Sequence, residues 1–444
     1  MSALKNRPIR EDMVMAACLE AYGMVRHEGR LADRSIDQTL RAKQQLYSNE
    51  RRAVAERVYA LLRRQVLVDV LSTRVWQGFD RLRTTAQDML RFAVSRVVEG
   101  ETIDAVADAL SLRREDAEAF RKLPQQQQAI LTMPPQKRFA IESGVPEFLA
   151  LRLFKQFGDD ALKFSDAMAT RAPLTARVNT LKVTREELLQ RFRDDKIQAQ
   201  PTPLSPFGIH IETRTNVYSL DAFRDGQFEV QDEGSQLLGM LVDGPPTLVI
   251  DACAGAGGKT LQIAAQMKNK GELIALDVDA KRLEELKQRA RRAGAHNVRV
   301  HAIPPTGKPA IDALARWKHA ADRVMVDAPC TGTGTWRRKP DARYKLTEAS
   351  LAEHVERQHE LLARFASMVK PGGRLIYGTC SILNEENEAV VSAFLKANSD
   401  YTLQPAGQWL PESAARCVTD NALRLYPHLH NTDGFYGAVM VKNR

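Results

Sequence analysis

Apolar residues recur at helical spacing through the first part of the chain. Proline and glycine are scarce there, so little interrupts the helices that this spacing predicts. The next segment, PQQQQAILTMPPQK (124–137), is rich in glutamine and proline, as linkers and domain edges often are. We therefore predict an all-α domain over residues 1–137. Its helical pattern is clearest in MVMAACLEAYGMV (13–25), AVAERVYALLRRQVLVDVLSTRVW (53–76) and TAQDMLRFAVSRVV (85–98).

A mixed pattern follows the helical region. One stretch, TREELLQRFRDD (184–195), has the spacing of a helix, and the stretches around it alternate as strands do. We predict a small α/β module over residues 138–235. Its predicted strands are ARVNTLKV (176–183), FGIHIET (207–213) and GQFEVQD (226–232).

Strand-length apolar runs and helical stretches alternate from residue 236 to the end. This alternation predicts a parallel sheet with helices on both faces, the Rossmann-like α/β architecture. The final run, FYGAVMVK (435–442), has no helix after it and is expected to pair as an antiparallel edge strand. The other predicted strands are TLVIDACAG (247–255), GELIALDVD (271–279), NVRVHAI (297–303), DRVMVDAPC (322–330) and GGRLIYGTCS (372–381). The predicted helices between them include KTLQIAAQMK (259–268) and AKRLEELKQRARRAG (280–294).

Composition adds three constraints. A chain of 444 residues exceeds one ordinary core and suggests two or three domains. The net charge of +9, from 64 basic and 55 acidic residues, is compatible with a polyanionic partner. The five cysteines form no CxxC pair and no metal spacing, which indicates free thiols in a reducing compartment. With no apolar run of about 18 residues and no secretory signal at the start, we expect a cytoplasmic protein without a membrane segment.

Candidate chemistry falls at the ends of the predicted parallel strands, where such sheets bind ligands. The run Asp251-Ala-Cys-Ala-Gly-Ala-Gly-Gly-Lys-Thr260 joins a strand to a helix, and its small residues allow a ligand close to the backbone. It is neither a P-loop nor an intact GxGxxG, so a tight structural turn is the alternative. Asp277 ends the next strand and could accept two hydrogen bonds from a ribose, or be a solvated surface carboxylate.

Two cysteines end two further predicted strands. Cys330 closes Asp327-Ala-Pro-Cys330, and Cys380 closes Tyr377-Gly-Thr-Cys380. Although 50 positions separate them, both lie at strand ends of one sheet and could face one crevice. Buried packing cysteines are the alternative.

Together these motifs resemble one known family. In their order and spacing, DACAGAGGKT, ALDVDAKRLEEL, DAPCTGTG and YGTCSILNEENE are similar to the NOL1/NOP2/Sun family of RNA cytosine-5 methyltransferases. The resemblance covers residues 145–444 and includes RVNTLK (177–182), GQFEVQDEGSQL (226–237) and DGFYGAVMVK (433–442). In the front domain, SNERRAVAERVYALLRRQVLVDVL (48–71) resembles the NusB-like RNA-binding domain of the bacterial 16S rRNA (Sun/Fmu) members.

The resemblance implies transfer of a methyl group from S-adenosylmethionine to C5 of a cytosine in RNA, expected to be 16S rRNA, by a monomer that needs no metal. It makes Cys380 the nucleophile that attacks C6 and gives Cys330 a role in breaking down the adduct. Asp327 would bond the edge of the cytosine, and Lys259 would lie near the base. The cofactor contacts that it implies are Cys253, Ala254, Gly255, Ala256, Gly257, Gly258, Lys259, Asp277, Arg282 and Asp327.

The sequence departs from the family pattern at two places. Gly255-Ala256 stands where many members have Ala-Pro. The third strand lacks the usual aspartate near the adenine, and Ile303 lies close to that position. For RNA contacts, Trp336 could stack on bases while Arg337, Arg338 and Lys339 meet phosphates, with a solvated charged loop as the alternative.

Arg289, Arg291 and Arg292 are expected to be surface charges.

Other functions stay open from the sequence. A DNA cytosine-5 methyltransferase would use Cys330 as its nucleophile. Cys380, in Thr379-Cys380-Ser381, and the helical front domain disfavour this alternative. A non-catalytic RNA-binding ribosome-assembly factor is a second alternative, and tRNA or large-subunit rRNA are alternative substrates.

Overall fold

The computed structural model describes residues 7–444 except Pro245 and Thr306, and it divides into two compact units. The helical unit comprises Met1–Arg171 and Trp336–Thr347, and the catalytic unit comprises Ala172–Thr335 and Glu348–Arg444. The first six residues of the predicted all-α domain lie outside the described residues. Within the described part, no helix combines the length and hydrophobicity that crossing a bilayer requires.

The first 171 residues are helical where they are described, as the apolar spacing predicts. Apolar faces of the first, third and fifth helices meet in one core, with Val14, Val54 and Phe92 fully buried. The helices are α1 Glu11–Arg26, α2 Ala32–Ala42, α3 Ser48–Arg63, α4 Gln65–Val75, α5 Thr84–Val98, α6 Ile103–Ala109, α7 Arg114–Phe120, α8 Leu123–Leu131, α9 Pro135–Ser143, α10 Glu147–Phe157 and α11 Ala161–Ala169.

The predicted linker at 124–137 is wrong, because most of it lies in helices α8 and α9, and the first compact unit extends beyond residue 137 to Arg171. Helix α8 begins at Leu123 with Pro124 in its first turn, where a missing N–H removes no helical hydrogen bond. Glutamine favours helices, and buried Leu123 and Ile130 fix α8 in the core. The helices then continue to Ala169.

The segment Trp336–Thr347 belongs to the helical unit. Arg343 is 1% exposed and donates to the carbonyls of Arg63 and Ser143. Trp336 is fully buried and Arg337 is 1% exposed. The predicted base stacking by Trp336 and phosphate contact by Arg337 are therefore wrong, because both side chains are packed inside the protein.

The catalytic unit begins with a four-stranded antiparallel sheet in the order β2-β3-β1-β4. Its strands include all three that the alternating pattern predicts in this region. The elements are β1 Thr175–Val178, α12 Arg185–Asp194, β2 Ala199–Pro201, β3 Gly208–Ile211, α13 Asp221–Arg224 and β4 Phe228–Val230.

The main sheet confirms the predicted Rossmann-like fold. Its order is β11-β12-β13-β9-β8-β5-β6-β7, with β10 also paired to β13, and the run from β9 to β7 is parallel. The strands are β5 Leu248–Asp251, β6 Glu272–Asp277, β7 Val298–Ala302, β8 Ala321–Asp327, β9 Val369–Thr379, β10 Tyr401–Gln404, β11 Val418–Thr419, β12 Ala422–Leu425 and β13 Phe435–Lys442. The helices are α14 Glu233–Met240, α15 Gly258–Gln266, α16 Ala280–Ala293, α17 Gly307–Leu314, α18 Glu348–Ala366, α19 Glu388–Ala397 and α20 Pro427–His430.

Strand β13 pairs antiparallel with β9, as expected, but it is not an edge strand. On the edge opposite β9 it also pairs with β12 at Phe435–Gly437 and with β10 at Val439–Lys442. The sequence does not reveal this, because β10 and β12 are only four residues long and have little apolar pattern of their own.

The order of the parallel strands positions the candidate chemistry. From β5 the chain builds outward through β6 and β7, then returns to place β8 on the other side of β5. Such a reversal opens a crevice beyond the carboxyl ends of the strands. Asp251, Asp277 and Asp327 are the last residues of three of these strands, and Cys380 follows the last residue of a fourth. The sheet therefore brings the predicted motifs to one edge.

Candidate active site

The glycine-rich run forms a tight loop between β5 and α15. Gly255 has φ +52° and donates its N–H to Asp277 Oδ2 across 2.8 Å. Gly257 has φ +91°, and a Cβ at this position would lie 2.6 Å from Leu286 Cγ. Both the backbone conformation and the close helix therefore require glycine at residue 257. Cys253 lies in this loop, where burial raises the pKa of its thiol and keeps it protonated.

Asp277 presents a carboxylate next to the loop. Besides Gly255, the backbone N–H of Asp279 donates to it across 2.8 Å, so each carboxylate oxygen accepts one hydrogen bond and retains a free lone pair. Val278 follows and is 54% exposed, so its apolar side chain is accessible beside the Asp277 carboxylate. Val278 is not among the residues predicted from the sequence, although an apolar residue directly after the strand-end carboxylate is a usable signal. Ile303 donates its N–H to the Asp277 carbonyl but is itself 6% exposed.

Asp251 lies beneath the loop and is 1% exposed. Its Oδ2 accepts from Thr260 Oγ1 at 2.7 Å, while its Oδ1 has no hydrogen-bond partner. Burial raises the pKa of Asp251 from 3.8 to about 6. An unsatisfied buried acceptor is costly unless a ligand supplies a donor.

These features fit S-adenosylmethionine. The ribose hydroxyls would bond Asp277, the adenine would contact Val278, and an ammonium donor would satisfy Asp251. Arg282 is exposed beside this loop, with its Nη1 4.0 Å from a Cβ built on Gly255. Gly255 and Ala256 form the loop without the proline that many family members have.

Lys259 and Asp327 form an ion pair at the centre of the strand ends. Lys259 Nζ lies 2.6 Å from Asp327 Oδ2 and 5.6 Å from the ring centroid of Phe435. Burial alone would lower the pKa of Lys259, but the charge and hydrogen bond of Asp327 outweigh burial and raise that pKa. The lysine therefore stays an ammonium ion.

The two strand-end cysteines lie in contact. Cys330 Sγ is 3.4 Å from Cys380 Sγ, and both side chains are partly exposed. The hydrogen bond to Cys380, followed by burial, raises the pKa of Cys330 well above its ordinary value. Cys330 therefore keeps its proton, and either sulfur can be the donor in this contact. The remaining cysteines, Cys18 and Cys417, are buried in apolar cores.

Arg289 and Arg177 bind carbonyl groups of the glycine-rich loop between β5 and α15. Arg289 Nη1 donates to the Ala256 carbonyl at 2.7 Å, and Arg289 also pairs with buried Glu229 at 2.9 Å. Arg177 Nη1 donates to the Gly258 carbonyl at 2.8 Å. The expectation that Arg289 and Arg292 are surface charges is wrong, since both pair with Glu229. Arg291 is exposed as expected.

Glu386, which is not among the residues predicted from the sequence, is fully buried and binds the loop that carries Cys330. It lies in an Asn-Glu-Glu-Asn-Glu run that has the composition of a solvated turn, so composition gave no signal. Across the described part of the chain, no group of three histidine, cysteine or acidic residues is arranged to hold a metal.

Comparisons with known proteins show which family the chain resembles. The sequence profile described as 16S rRNA methyltransferase RsmB/F matches residues 240–441, and a ferredoxin-like domain profile from the same family matches residues 145–218. The Bacillus subtilis (strain 168) protein named probable ribosomal RNA small subunit methyltransferase B is 33% identical over 311 residues, covering 69% of this chain and 68% of that protein. A Synechocystis protein of the same name is 28% identical over 435 residues, covering 92% and 95%.

Two solved structures are similar to this chain over most of its length. The crystal structure of PH0851 has a TM-score of 0.75 at 28% identity and covers 99% of this chain and all of its own. A methyltransferase homologue from Pyrococcus horikoshii has a TM-score of 0.59 at 30% identity, covering 70% of this chain and 99% of its own. The chain therefore belongs to the 16S rRNA methyltransferase RsmB/F family and is an RNA methyltransferase that uses S-adenosylmethionine.

Proposed function

We propose that this enzyme methylates C5 of a cytosine in small-subunit ribosomal RNA, with Cys380 as the nucleophile. The observation that carries the proposal is the 3.4 Å contact between the sulfurs of Cys380 and Cys330, at the strand ends that also hold the Lys259–Asp327 pair. The names of the relatives, which refer to the small ribosomal subunit, support the proposed class of RNA.

The chemistry needs a thiolate because C5 of cytosine is a weak nucleophile. When Cys380 Sγ adds to C6, the ring becomes an enamine whose C5 can attack a methyl group, so one difficult step becomes several easier ones. S-adenosylmethionine supplies that methyl group. The Lys259 ammonium interacts with Cys380 by charge, and the Cys330 sulfur lies 3.4 Å from the Cys380 sulfur, so both can stabilise negative charge that develops on Cys380 during the reaction.

Asp327 orients the base. One of its oxygens accepts from Lys259, and the side chain is 29% exposed, so its remaining acceptor capacity is available to the polar edge of cytosine. A proton held at N3 supports addition at C6, and an acidic partner at that edge suits this task.

RNA that contains 5-fluorocytosine tests the assignment of the nucleophile, because fluorine at C5 blocks release and preserves the covalent adduct. With S-adenosylmethionine present, we expect the wild type and Cys330→Ala to form a complex that survives denaturing electrophoresis. Cys380→Ala should form none. An adduct that persists in Cys380→Ala but disappears in Cys330→Ala would make Cys330 the nucleophile and refute the proposal.

Bisulfite sequencing of total RNA tests the substrate. A deletion strain should lose methylation at a cytosine of the small-subunit rRNA, and the wild-type gene should restore it. The Cys380→Ala gene, expressed at the same level, serves as the matched control and should not. Loss confined to tRNA or large-subunit rRNA would contradict the proposed substrate.

We also propose that the helical unit and the four-stranded sheet bind the RNA and that the enzyme acts as a monomer. Sedimentation with and without a small-subunit rRNA fragment tests the second statement, since a protein dimer in the complex would exclude it.

A further inference from the structure

Glu386 lies between β9 and α19, and its side chain is fully buried. Its Oε1 accepts from the backbone N–H of Thr331 at 2.9 Å, and its Oε2 accepts from the Thr331 hydroxyl at 2.5 Å. Thr331 follows Cys330 directly. One carboxylate thus fixes both the backbone and the side chain of the residue next to the thiol.

Gln358 of α18 extends the same network to the other side of Cys330. Its Nε2 donates to Glu386 Oε1 at 2.9 Å and to the Pro329 carbonyl at 3.0 Å. Both chain neighbours of Cys330 are therefore held, Thr331 by Glu386 directly and Pro329 through Gln358.

A buried carboxylate is an expensive way to make these contacts. Its donors here are a backbone N–H, a hydroxyl and an amide, all of them neutral, so they compensate desolvation less than a cation would. A carboxylate only accepts hydrogen bonds, whereas a glutamine would direct its NH₂ group towards one of these donors. The carboxylate of Glu386 therefore suits these donors from Thr331 and Gln358, which hold the chain on both sides of Cys330.

We propose that Glu386 is a positioning residue that holds the Cys330 thiol against the Cys380 sulfur while the methylated RNA is released. The inference rests on the proposed function, because it assumes the adduct between Cys380 and C6. In release, a base takes the C5 proton, the C5–H electron pair restores the C5=C6 bond, and the C6–Sγ bond breaks. Cys380 leaves as a thiolate, and a thiol held 3.4 Å away stabilises the developing charge by donating its S–H.

Release and methyl transfer can be measured separately on ordinary cytosine RNA. In Glu386→Ala, methyl transfer in the first turnover should be close to wild type, while the covalent complex accumulates and the steady-state kcat falls about 10- to 100-fold. The KM for RNA should change little. Glu386→Gln keeps one acceptor oxygen and should restore part of the turnover, and Thr331→Val should show the same defect in milder form.

Three controls make the result specific. Glu356→Gln removes an exposed carboxylate from α18, the helix that carries Gln358, and should behave as wild type. Adding Glu386→Ala to Cys330→Ala should cause little further loss, because both changes act on one thiol. Calorimetric binding of S-adenosylmethionine and the thermal unfolding midpoint report whether each variant is folded.

The possible failures are distinguishable. If Cys330→Ala accumulates the adduct and Cys380→Ala abolishes it, but Glu386→Ala and Thr331→Val turn over normally, this inference alone is wrong. It is also wrong if first-turnover transfer falls in parallel with release. If the adduct does not depend on Cys380, the proposed function itself fails.

Discussion

Lys259 donates a hydrogen bond of 2.6 Å to Asp327, which joins the first turn of the helix after β5 to the end of β8. The contact spans the point where the strand order reverses, and it keeps a positive charge beside the two cysteines.

Replacing Lys259 by methionine should leave the Asp327 carboxylate without its charge partner and remove a positive charge that can stabilise negative charge developing on Cys380. We expect kcat/KM to fall about 100- to 1,000-fold, the cost of losing one charged group at an active site. Transfer of tritiated methyl groups to rRNA measures this. Lys287→Met, on an exposed face of α16, is the control. Equal activities in both variants would exclude the role of Lys259.

Asp251 should make stability depend on pH. Its pKa is raised from 3.8 to about 6 by burial, so between these values the folded protein binds more protons than the unfolded chain. Stability contributed by this group is therefore present below pH 3.8 and is lost as pH rises towards 6. The loss is about 3 kcal/mol.

Asp251→Asn should abolish this loss. Relative to wild type, the variant should gain resistance to urea as pH rises from 4 to 7, whereas Asp312→Asn, at an exposed position, should follow wild type throughout. Parallel curves for wild type and Asp251→Asn would contradict the raised pKa.

Gly257 and Gly258 are adjacent but should tolerate alanine differently. Gly257 combines φ +91° with a Cβ position 2.6 Å from Leu286, while a Cβ on Gly258 meets nothing within 4 Å. We expect Gly257→Ala to lower the free energy of unfolding of the cofactor-free protein by about 1–3 kcal/mol. Gly258→Ala should leave it nearly unchanged. Similar denaturation midpoints for the two variants would disprove the strain argument.

Arg289→Ala should weaken the cofactor loop, because this side chain holds the Ala256 carbonyl and pairs with Glu229. The expected result is about a tenfold weaker affinity for S-adenosylmethionine, equal to the loss of one hydrogen bond to a charged group. Isothermal calorimetry measures it, with Arg291→Ala on the same helix as the matched control. An unchanged Kd would show that the loop keeps its shape without this support.

The sequence predicts those parts of the fold and of the site that depend on local patterns of residues. The strands of the main sheet, the helices between them and the chemistry at the strand ends follow from apolar periodicity and from the motifs around Asp251, Asp277, Cys330 and Cys380. The family resemblance, which the comparisons confirm, supplied the cofactor and the reaction class. The residue roles assigned by resemblance stay predictions until the variants are measured.

Contacts between distant parts of the chain could not be predicted. Glu386 lies in a polar run, and only the fold shows that it is buried against Thr331. Arg289 follows a helical charge pattern, and its partner Glu229 lies 60 positions away. The segment at Trp336 has the composition of a solvated loop, yet Trp336 and Arg337 are buried, and Arg343 binds carbonyls of residues far earlier in the chain.

That last arrangement also bears on the order in which the protein is made. A ribosome releases residues up to Arg171 first, and 164 further residues, 172–335, must follow before Trp336 emerges. Until then Ser143 and Arg63 lack the hydrogen bonds from Arg343, and the site that buries Trp336 is unfilled. The helical unit thus completes its packing only after much of the catalytic unit has been synthesised. Cutting the chain after residue 171 would separate the helical unit from Trp336–Thr347, which is part of its own structure.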